Sequence, residues 1–278
     1  MNAPTTVTPI ASAVNLIFIR ASSLAELFDC PARWEAKHLL GMNGRRSGRA
    51  QLGTAVHAGT ALFDAGRLPG GTPVSAMDAA DAVVKEINHP EEEVDWDDQS
   101  PREAERIALA LHTKYCNEIA PHQDYVGVEV RCEKLELPEL GIALTGTNDR
   151  IRRVGTRLGI TDLKTGGRAV AANGKAEVKK HALQLGVYEL LADHAMGIPI
   201  NAPAQIVGMN TGKTPASQRI GTGEVKNARQ LLLGQDGEPG FLENASRLLK
   251  SGNFFGNPSS YLCSAKYCPR HATCTFRP

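Results

Sequence analysis

Two aspartates and a lysine near the ends of adjacent predicted strands have the residue types that bind a metal ion. Asp149 lies in the second of three strand-like segments, and Asp162 and Lys164 lie at the end of the third. Residues two apart on a strand project from the same face, so Asp162 and Lys164 point together. If the hairpin register brings Asp149 beside them, two carboxylates converge next to an ammonium group. Such carboxylates repel each other unless a cation lies between them, and hard oxygen ligands suit Mg²⁺ or Mn²⁺.

A divalent cation at this point would serve phosphoryl chemistry. It can polarise a phosphoryl oxygen and activate a bound water as the nucleophile. The ammonium group of Lys164 can orient that water or stabilise charge in the transition state. The alternative is a surface Asp–Lys pair on an amphipathic strand, with Asp149 paired to Arg150 or Arg152. The hairpin pattern alone leaves both interpretations open.

The elements that position these residues are predicted from sequence periodicity. Alternating apolar and polar residues, separated by glycine-containing turns, are typical of an antiparallel meander. Its three strands are predicted at Tyr125–Leu137, Ile142–Val154 and Leu158–Lys164. The pattern then predicts a helix at about Ala176–Met196, a strand at Pro203–Met209 and a further helix within Gly223–Leu249.

The segment before the meander is predicted to be helical. Ser23 and Glu26, and again Ser100 and Glu103, have the spacing of a capping box, in which both side chains satisfy free backbone N–H groups at a helix start. Pro31 suits the first turn of a second helix. The order of elements therefore indicates an α/β core with a helical N-terminal part folded onto it.

The domain organisation is predicted to be simple. Residues 1–14 are rich in Thr, Pro and Ala and are expected to form a flexible tail. The remainder, 15–278, is expected to be a single domain. Within it we predict a helical N-terminal part at 20–120, a catalytic core at 121–250 and a Cys-rich C-terminal tail at 251–278.

Composition excludes some classes of protein. The chain has 278 residues, of which 42% are hydrophobic and 22% charged, as expected for a globular protein with a core. No apolar run approaches membrane-spanning length, and the N-terminus lacks the features of a secretory signal. The expected location is therefore the cytoplasm (the host cytoplasm if the gene is viral). Between 150 and 181, basic residues outnumber acidic ones, which indicates either a phosphate-binding segment or a solvated basic face.

Four motifs in chain order resemble those of the RecB-like exonucleases in the PD-(D/E)XK class. The segments around Asp149 (Gly-Thr-Asn-Asp-Arg-Ile) and around Asp162 and Lys164 (Ile-Thr-Asp-Leu-Lys-Thr-Gly) resemble the second and third motifs of that family. Upstream, Gly53-Thr-Ala-Val-His57 resembles the first motif, and downstream, Gln184-Leu-Gly-Val-Tyr188 resembles the QxxxY motif. Asn148 stands where the class name has proline, and Asp162 replaces glutamate; both departures are common in the RecB-like branch.

The resemblance implies a fold and a set of roles. The fold would be the restriction-endonuclease-like core, a mixed sheet with an antiparallel meander flanked by helices. His57, Asp149 and Asp162 would bind the metal. Gln184 and Tyr188, which share one helix face, would contact the lysine or the DNA near the site. Glu129, on the first meander strand, could be a further acidic neighbour, although an exposed strand glutamate is the simpler interpretation.

Four cysteines form a second candidate site. Cys30 lies near the N-terminus, and Cys263, Cys268 and Cys274 lie within the last sixteen residues. Four thiolates can hold a tetrahedral Zn²⁺ or a [4Fe–4S] cluster, and free thiols are the remaining alternative. The arrangement resembles the iron–sulfur site of the AddB and Cas4-like nucleases, although the spacing between Cys263 and Cys268 is longer than usual. We therefore expect a [4Fe–4S] cluster in preference to zinc.

The function expected from the sequence is that of a Mg²⁺- or Mn²⁺-dependent DNA exonuclease. Its binding to the DNA backbone would be sequence-tolerant and salt-sensitive. The alternative is a catalytically silent DNA-binding or recombination subunit that keeps the fold. The polarity of digestion, the strand preference, the protein partners and the oligomeric state stay open.

Overall fold

A mixed sheet lies at the centre of the computed structural model, which describes residues 15–42, 44–97 and 99–278. The predicted flexible tail at 1–14 lies outside the described residues. The sheet strands are β1 (Ile17–Arg20), β2 (Tyr125–Leu137), β3 (Ile142–Val154), β4 (Arg157–Gly166), β5 (Ala204–Asn210) and β6 (Ile220–Val225). The helices are α1 (Leu24–Asp29), α2 (Pro31–His38), α3 (Gly48–Ala65), α4 (Ala76–Asn88), α5 (Pro101–Lys114), α6 (Ala182–Met196), α7 (Ala228–Leu233) and α8 (Phe241–Ser251).

The three strands β2, β3 and β4 form the predicted antiparallel meander. β3 is its central strand and pairs antiparallel with both neighbours. Beyond the meander, β5 pairs parallel with β4, and β6 pairs antiparallel with β5. The α/β fold with a mixed sheet flanked by helices is therefore confirmed.

Two apolar clusters fix the sheet between helical layers. One cluster joins the meander to α6, α7, α8 and the N-terminal elements, and contains Trp34, Ile151 and Leu191. The other packs α3, α4 and α5 against the sheet through Leu163 and Val207. Both clusters consist of fully or nearly fully buried aliphatic and aromatic side chains, whose removal from water is the main force that holds the layers together.

Some predicted elements differ from the structure. The strands β1 and β6 were not expected. The helix predicted within 223–249 is divided into α7 and α8, and its first three residues belong to β6. The helix predicted from Ala176 begins at Ala182, after a 3₁₀ turn at Lys179–His181. Within the described ranges, no helix has both the length and the hydrophobicity to cross a bilayer.

The two predicted capping boxes have different outcomes. The Ser100 side chain accepts a hydrogen bond from the backbone N–H of Glu103 and caps α5 as predicted. The Ser23 cap is wrong, because a 3₁₀ turn at Ala21–Ser23 leads directly into α1. Ser23 already has helical backbone angles there, and its hydroxyl donates to the carbonyl of Arg20 at 3.0 Å.

Candidate functional site

A fork in the sheet creates the space for the candidate active site. β1 and β4 pair with the same edge of β3: β1 with Ile142–Thr145, and β4 with Arg150–Val154. The four residues between them, 146–149, have neither strand beside them on that edge. Asp149 lies at the point of the fork, one step beyond the last ladder pair, Arg150 with Thr161. The ladder between β3 and β4 ends here, so a side chain of β3 can bond to the backbone of β4 beyond Thr161.

The carboxylate of Asp149 is held in place by the neighbouring strand. Its Oδ2 accepts a hydrogen bond of 2.8 Å from the backbone N–H of Leu163 and lies 3.5 Å from Nδ1 of His57. Burial alone would raise the pKa of Asp149, but the charge and hydrogen bond of His57, the Lys164 ammonium and the Leu163 N–H together lower it. Asp149 is therefore ionised and able to bind a cation.

His57 reaches the site because α3 packs closely against β4. A Cβ at Gly53 would lie 2.7 Å from Oγ1 of Thr165, so a side chain at this position would require either the Thr165 side chain or the helix to move. One helical turn later, Nε2 of His57 lies 3.0 Å from the carbonyl of Leu163. Burial lowers the pKa of His57, but the carboxylates of Asp149 and Asp162 outweigh burial and raise it. The predicted first motif thus lies against the second and third.

Asp162 and Lys164 form a buried ion pair next to Asp149. The ammonium of Lys164 lies 2.8 Å from Oδ2 of Asp162, whose side chain is almost completely buried. Burial and the charge of Asp149 raise the pKa of Asp162 despite the lysine. The alternative of a surface Asp–Lys pair is therefore wrong. So is pairing of Asp149 with either neighbouring arginine, because Arg150 bonds Asp64 and Arg152 bonds Glu224.

Glu129 adds a carboxylate that the sequence interpretation had set aside. It lies on β2 between the pairs Val128–Arg150 and Val130–Asn148, and its φ of 50° turns the backbone out of the regular ladder. Donor atoms of His57, Glu129 and Asp149 all lie within 4.8 Å of one another. The predicted ligand set of His57, Asp149 and Asp162 therefore shares two members with this group, in which Glu129 takes the third place. The hairpin register places position 129 opposite position 149, and this register is the signal from which Glu129 could have been predicted as a neighbour of Asp149.

Gln184 and Tyr188 lie on α6, on the other side of the carboxylates. Nε2 of Gln184 donates a hydrogen bond of 3.0 Å to the hydroxyl of Tyr188, as expected for residues one turn apart. Burial raises the pKa of Tyr188, and the charges of Asp162 and Asp149 raise it further. The hydroxyl is thus protonated and close enough to feel both carboxylates.

The buried polar network that lies behind the site was not predicted from the sequence. Arg150 is fully buried, and its guanidinium bonds Oδ2 of Asp64 at 2.7 Å and Oγ1 of Thr60 at 3.2 Å, both on α3. It also donates to the carbonyl of Asp149 at 2.7 Å and to the Glu129 carboxylate at 3.2 Å. Arg150 and the nearly buried Arg152 are therefore unable to serve as the surface cations that the basic segment predicted.

The four predicted cysteines line one cavity. Cys30 lies between α1 and α2, and the segment after α8 folds back over it, so that Cys30, Cys263, Cys268 and Cys274 line the same cavity. Partial desolvation and the three other thiols raise the pKa of Cys263. The backbone N–H of Asn257 donates to Sγ of Cys30 at 3.4 Å. Cys116 and Cys132 are buried elsewhere in the core.

Comparisons with known proteins agree with this geometry. The family model of the PD-(D/E)XK nuclease superfamily matches residues 20–275. A crystal structure of a presumed exonuclease from Eubacterium rectale has the same fold, with a TM-score of 0.58 and 15% sequence identity over 100% of this chain and 96% of the other. No protein with a curated description matches this chain. The extent of the family match, which includes the sheet, the fork and all four cysteines, shows that the chain belongs to the PD-(D/E)XK nuclease superfamily.

Proposed function

We propose that this chain is a divalent-metal-dependent deoxyribonuclease that works inside the cell as an exonuclease in DNA processing, repair or recombination. The observation that carries the proposal is the convergence of three oxygen or nitrogen donors at the fork. These are the Asp149 carboxylate, the His57 imidazole and the Glu129 carboxylate, whose donor atoms lie within 4.8 Å of one another, with the Asp162–Lys164 pair beside them.

The donor set fits a divalent cation. Two of the three donors are carboxylates, and carboxylate oxygens suit Mg²⁺ and Mn²⁺. We assign Asp149 and His57 as ligands, together with Asp162 or Glu129. A bound cation would supply a Lewis acid for the phosphoryl oxygen and would activate a water at neutral pH. It would also offset the repulsion between the Asp149 and Asp162 carboxylates, which raises the pKa of Asp162.

The remaining residues act on the substrate or on the water. Lys164, held at 2.8 Å by Asp162, presents its ammonium to the water or to a non-bridging phosphate oxygen, where negative charge develops. The Tyr188 hydroxyl accepts a hydrogen bond from Gln184, which fixes its position. It can donate its own proton to an acceptor near Lys164 or to the DNA strand near the scissile bond. The close packing of α3 and α6 around the fork keeps these groups in position before the substrate arrives.

The DNA backbone would be bound by exposed cations that follow β4. Arg168, Lys175, Lys179 and Lys180 are all exposed, in contrast to Arg150 and Arg152. Cations that contact phosphates without reading bases give sequence-tolerant binding that weakens as the salt concentration rises.

We also propose a [4Fe–4S] cluster at Cys30, Cys263, Cys268 and Cys274. A tetrahedral zinc ion would bring its thiolates to within about 3.8 Å of one another, given a Zn–S distance of about 2.3 Å. Within the described part of the chain, the group with all donor atoms inside 4.8 Å of one another consists of His57, Glu129 and Asp149, and not of cysteines. Four thiols that share a cavity at longer separations fit the four irons of a cluster better than one zinc ion.

The test of the nuclease proposal is digestion of end-labelled single- and double-stranded DNA with Mg²⁺, with Mn²⁺ and with EDTA. We expect metal-dependent release of nucleotides from the ends. The variants Asp162→Ala and Lys164→Ala should each lower the rate by about 10²- to 10³-fold. Asp162→Ala removes the carboxylate that holds Lys164 and can bind the metal, and Lys164→Ala removes the ammonium that stabilises charge at the phosphate. Asp124→Asn, an exposed carboxylate paired with Arg153 at 3.8 Å, is the matched control and should keep full activity.

Two outcomes would change the proposal. Binding of DNA without cleavage by the wild type under any of these conditions would indicate the catalytically silent subunit. Internal cleavage without release from the ends would indicate an endonuclease.

A further inference from the structure

The fork contains a second group of polar side chains that the metal chemistry does not use. A pocket next to Tyr188 is lined by two arginines and three hydroxyl residues: Arg20, Ser22, Arg131, Thr145 and Thr147. The other residues that line it, Ala21 and Gly146, carry no charge, so the described lining of this pocket contains cations and hydroxyls but no carboxylate. Arginines and hydroxyl groups are the side chains that most often bind phosphate oxygens.

The sheet register explains why these residues meet. Arg20 on β1 pairs with Thr145 on β3, and Arg131 on β2 pairs with Thr147 on β3. Thr147 and Thr145 precede Asp149 by two and four residues along the same strand. At about 3.3 Å per residue, the pocket therefore extends roughly 7 to 13 Å from the metal-binding carboxylate. This distance suits phosphates next to the scissile one along a strand.

An exposed aromatic ring extends this surface. Phe18 lies two residues before Arg20 on β1, so the two side chains project from the same face, opposite the buried Ile19. The ring is 56% exposed. A wider groove, which shares Arg20, Ser22 and Thr145 with the pocket, continues past Phe18 to Arg45 and Arg46. Together these residues form one continuous surface, here called the fork groove, that begins at Tyr188.

Two of the three acidic residues that line the wider groove, Glu26 and Glu93, are paired with cations, and the third is Glu92. Glu26 pairs with Lys37 at 2.7 Å and with Arg33 at 3.4 Å. Glu93 pairs with Arg45 at 3.5 Å. In the described part of the chain, the Arg20 side chain has no such acidic partner, and its charge is available to a ligand at the narrow end of the groove. Arg131 lies 3.9 Å from the carboxylate of Glu133, and both side chains are largely exposed, so a phosphate can compete for this arginine.

We propose that the fork groove binds single-stranded DNA next to the active site, with phosphates on Arg20 and Arg131 and an unpaired base stacked on Phe18. This inference rests on the proposed nuclease function and specifies its substrate. A cationic groove with an aromatic platform is the arrangement that binds single strands without reading their sequence. A duplex keeps its bases stacked inside the helix and offers none of them to Phe18, so the ring favours a single strand.

Binding without cleavage tests this proposal separately from catalysis. The probe is a fluorescein-labelled oligothymidylate, measured by anisotropy in EDTA at several salt concentrations, with a duplex of the same length in parallel. We expect Arg20→Ala/Arg131→Ala to weaken binding of the single strand about 20-fold at about 0.1 M salt. The salt slope should fall by about 1.4, the value for two lost phosphate contacts on a single strand. Arg102→Ala, an exposed arginine on α5, is the matched control and should not change either quantity.

The aromatic platform has its own test. Phe18→Ala should weaken binding of the single strand about 10-fold, because each stacked base contributes about 1–3 kcal/mol, and should leave binding of the duplex unchanged. Phe18→Leu keeps the apolar area without a stacking face and should behave like Phe18→Ala, whereas Phe18→Tyr should bind like the wild type. Unfolding midpoints equal to that of the wild type would confirm that the variants are folded.

Two results would overturn the inference. One is unchanged binding of the single strand in the double arginine variant, and the other is equal loss of single-strand and duplex binding in Phe18→Ala. Hydrolysis of bis(p-nitrophenyl) phosphate, which is too small to reach the fork groove, reports on the active site alone. If the wild type hydrolyses this ester but the groove variants bind DNA normally, the proposed role of the fork groove is wrong and the nuclease proposal stands. If the wild type cleaves neither this ester nor DNA, the nuclease proposal itself fails.

Discussion

The candidate metal site and the cysteine site are held by the fold in different ways. Asp149 and Leu163 lie on paired strands and are joined by a hydrogen bond of 2.8 Å, and His57 is brought to them by close helix packing at Gly53. Three of the four cysteines lie after α8, where the chain consists of turns and one short 3₁₀ helix. The candidate metal site is therefore organised by the sheet, whereas the cysteine site depends on a segment whose backbone hydrogen bonds lie mostly within its own turns.

The contacts that fix each region differ in burial. Behind the metal site, the guanidinium of Arg150 and the carboxylate of Asp64 are both fully buried. At the cysteine site, Arg33 donates to the carbonyl of Tyr267 at 3.1 Å, and Arg270 pairs with Glu35 in a partly exposed position. We therefore expect the first region to be stabilised by the protein alone and the second to depend on a bound group that holds its thiols together. Each half of this comparison can be tested.

The largest effect is expected at the buried ion pair. Arg150→Met should lower the free energy of unfolding by about 3–5 kcal/mol, because it leaves the buried Asp64 carboxylate with only the partly exposed Arg67 at 3.8 Å as a cation. Urea unfolding measures this change. Arg153→Met, which removes an exposed pair with Asp124 at 3.8 Å, is the control and should change stability by less than about 0.5 kcal/mol. If both variants are equally stable, the buried network does not support the metal site.

The sequence was most informative where local pattern and tertiary structure agree. The bounds predicted for the first two meander strands match β2 and β3 because alternation and turn residues mark each end. β6 was missed because Gly221 and Gly223 make it look unlike a strand. Both glycines are needed for close contacts: a Cβ at Gly221 would collide with the carbonyl of Gly174, and one at Gly223 with Val178. No local pattern contains that information.

The same distinction applies to the site residues. Asp149, Asp162 and Lys164 were identified because their spacing along two strands is a local pattern. Glu129 was set aside because its role depends on the register between strands and on a positive φ. Arg150 was assigned to a basic face because a run of charges does not reveal burial, and it is in fact fully buried. The roles of the site residues stay predictions until the variants are measured.

The second test concerns the cysteine region. Cys30→Ser should abolish the absorbance at about 400 nm of anaerobically purified protein, because the cluster loses one ligand. Without the cluster, the link between Cys30 and the C-terminal segment is lost, and stability should fall by about 2–4 kcal/mol, as for the loss of a crosslink that closes a long loop. The segment 252–278 should become the first site of limited proteolysis, while the sheet resists.

The control for the cysteine test is a buried thiol outside the cavity. Cys132→Ala, on β2, should keep the absorbance and the protection of the C-terminal segment. A colourless wild-type protein that contains zinc would refute the cluster. Equal protease resistance of Cys30→Ser and the wild type would show that the segment is held without the bound group, and the contrast between the two regions would be lost.

The smallest effect should appear as a pH dependence of stability in the region of the candidate metal site, at a buried glutamate on α6. Glu189 lies on α6, one residue after Tyr188, and is only 7% exposed. Burial raises its pKa to about 7, although the nearby Arg229 lowers it. The folded protein therefore holds this proton more tightly than the unfolded chain, whose glutamate has a pKa of about 4.3. This contribution favours folding below pH 4.3 or so and is lost as the pH rises through 7.

We thus expect the free energy of unfolding to fall by about 2 kcal/mol between pH 5 and pH 8 because of Glu189, and Glu189→Gln to remove that part of the fall. Urea unfolding at both pH values measures the difference. Glu243→Gln, an exposed partner of Arg247 on α8, is the matched control and should leave the pH dependence as in the wild type. If Glu189→Gln and the wild type lose stability equally, another buried group is responsible. If the loss disappears in Cys30→Ser instead, the pH dependence belongs to the cysteine region. The stability of the candidate metal site would then depend less on pH than that of the cysteine site.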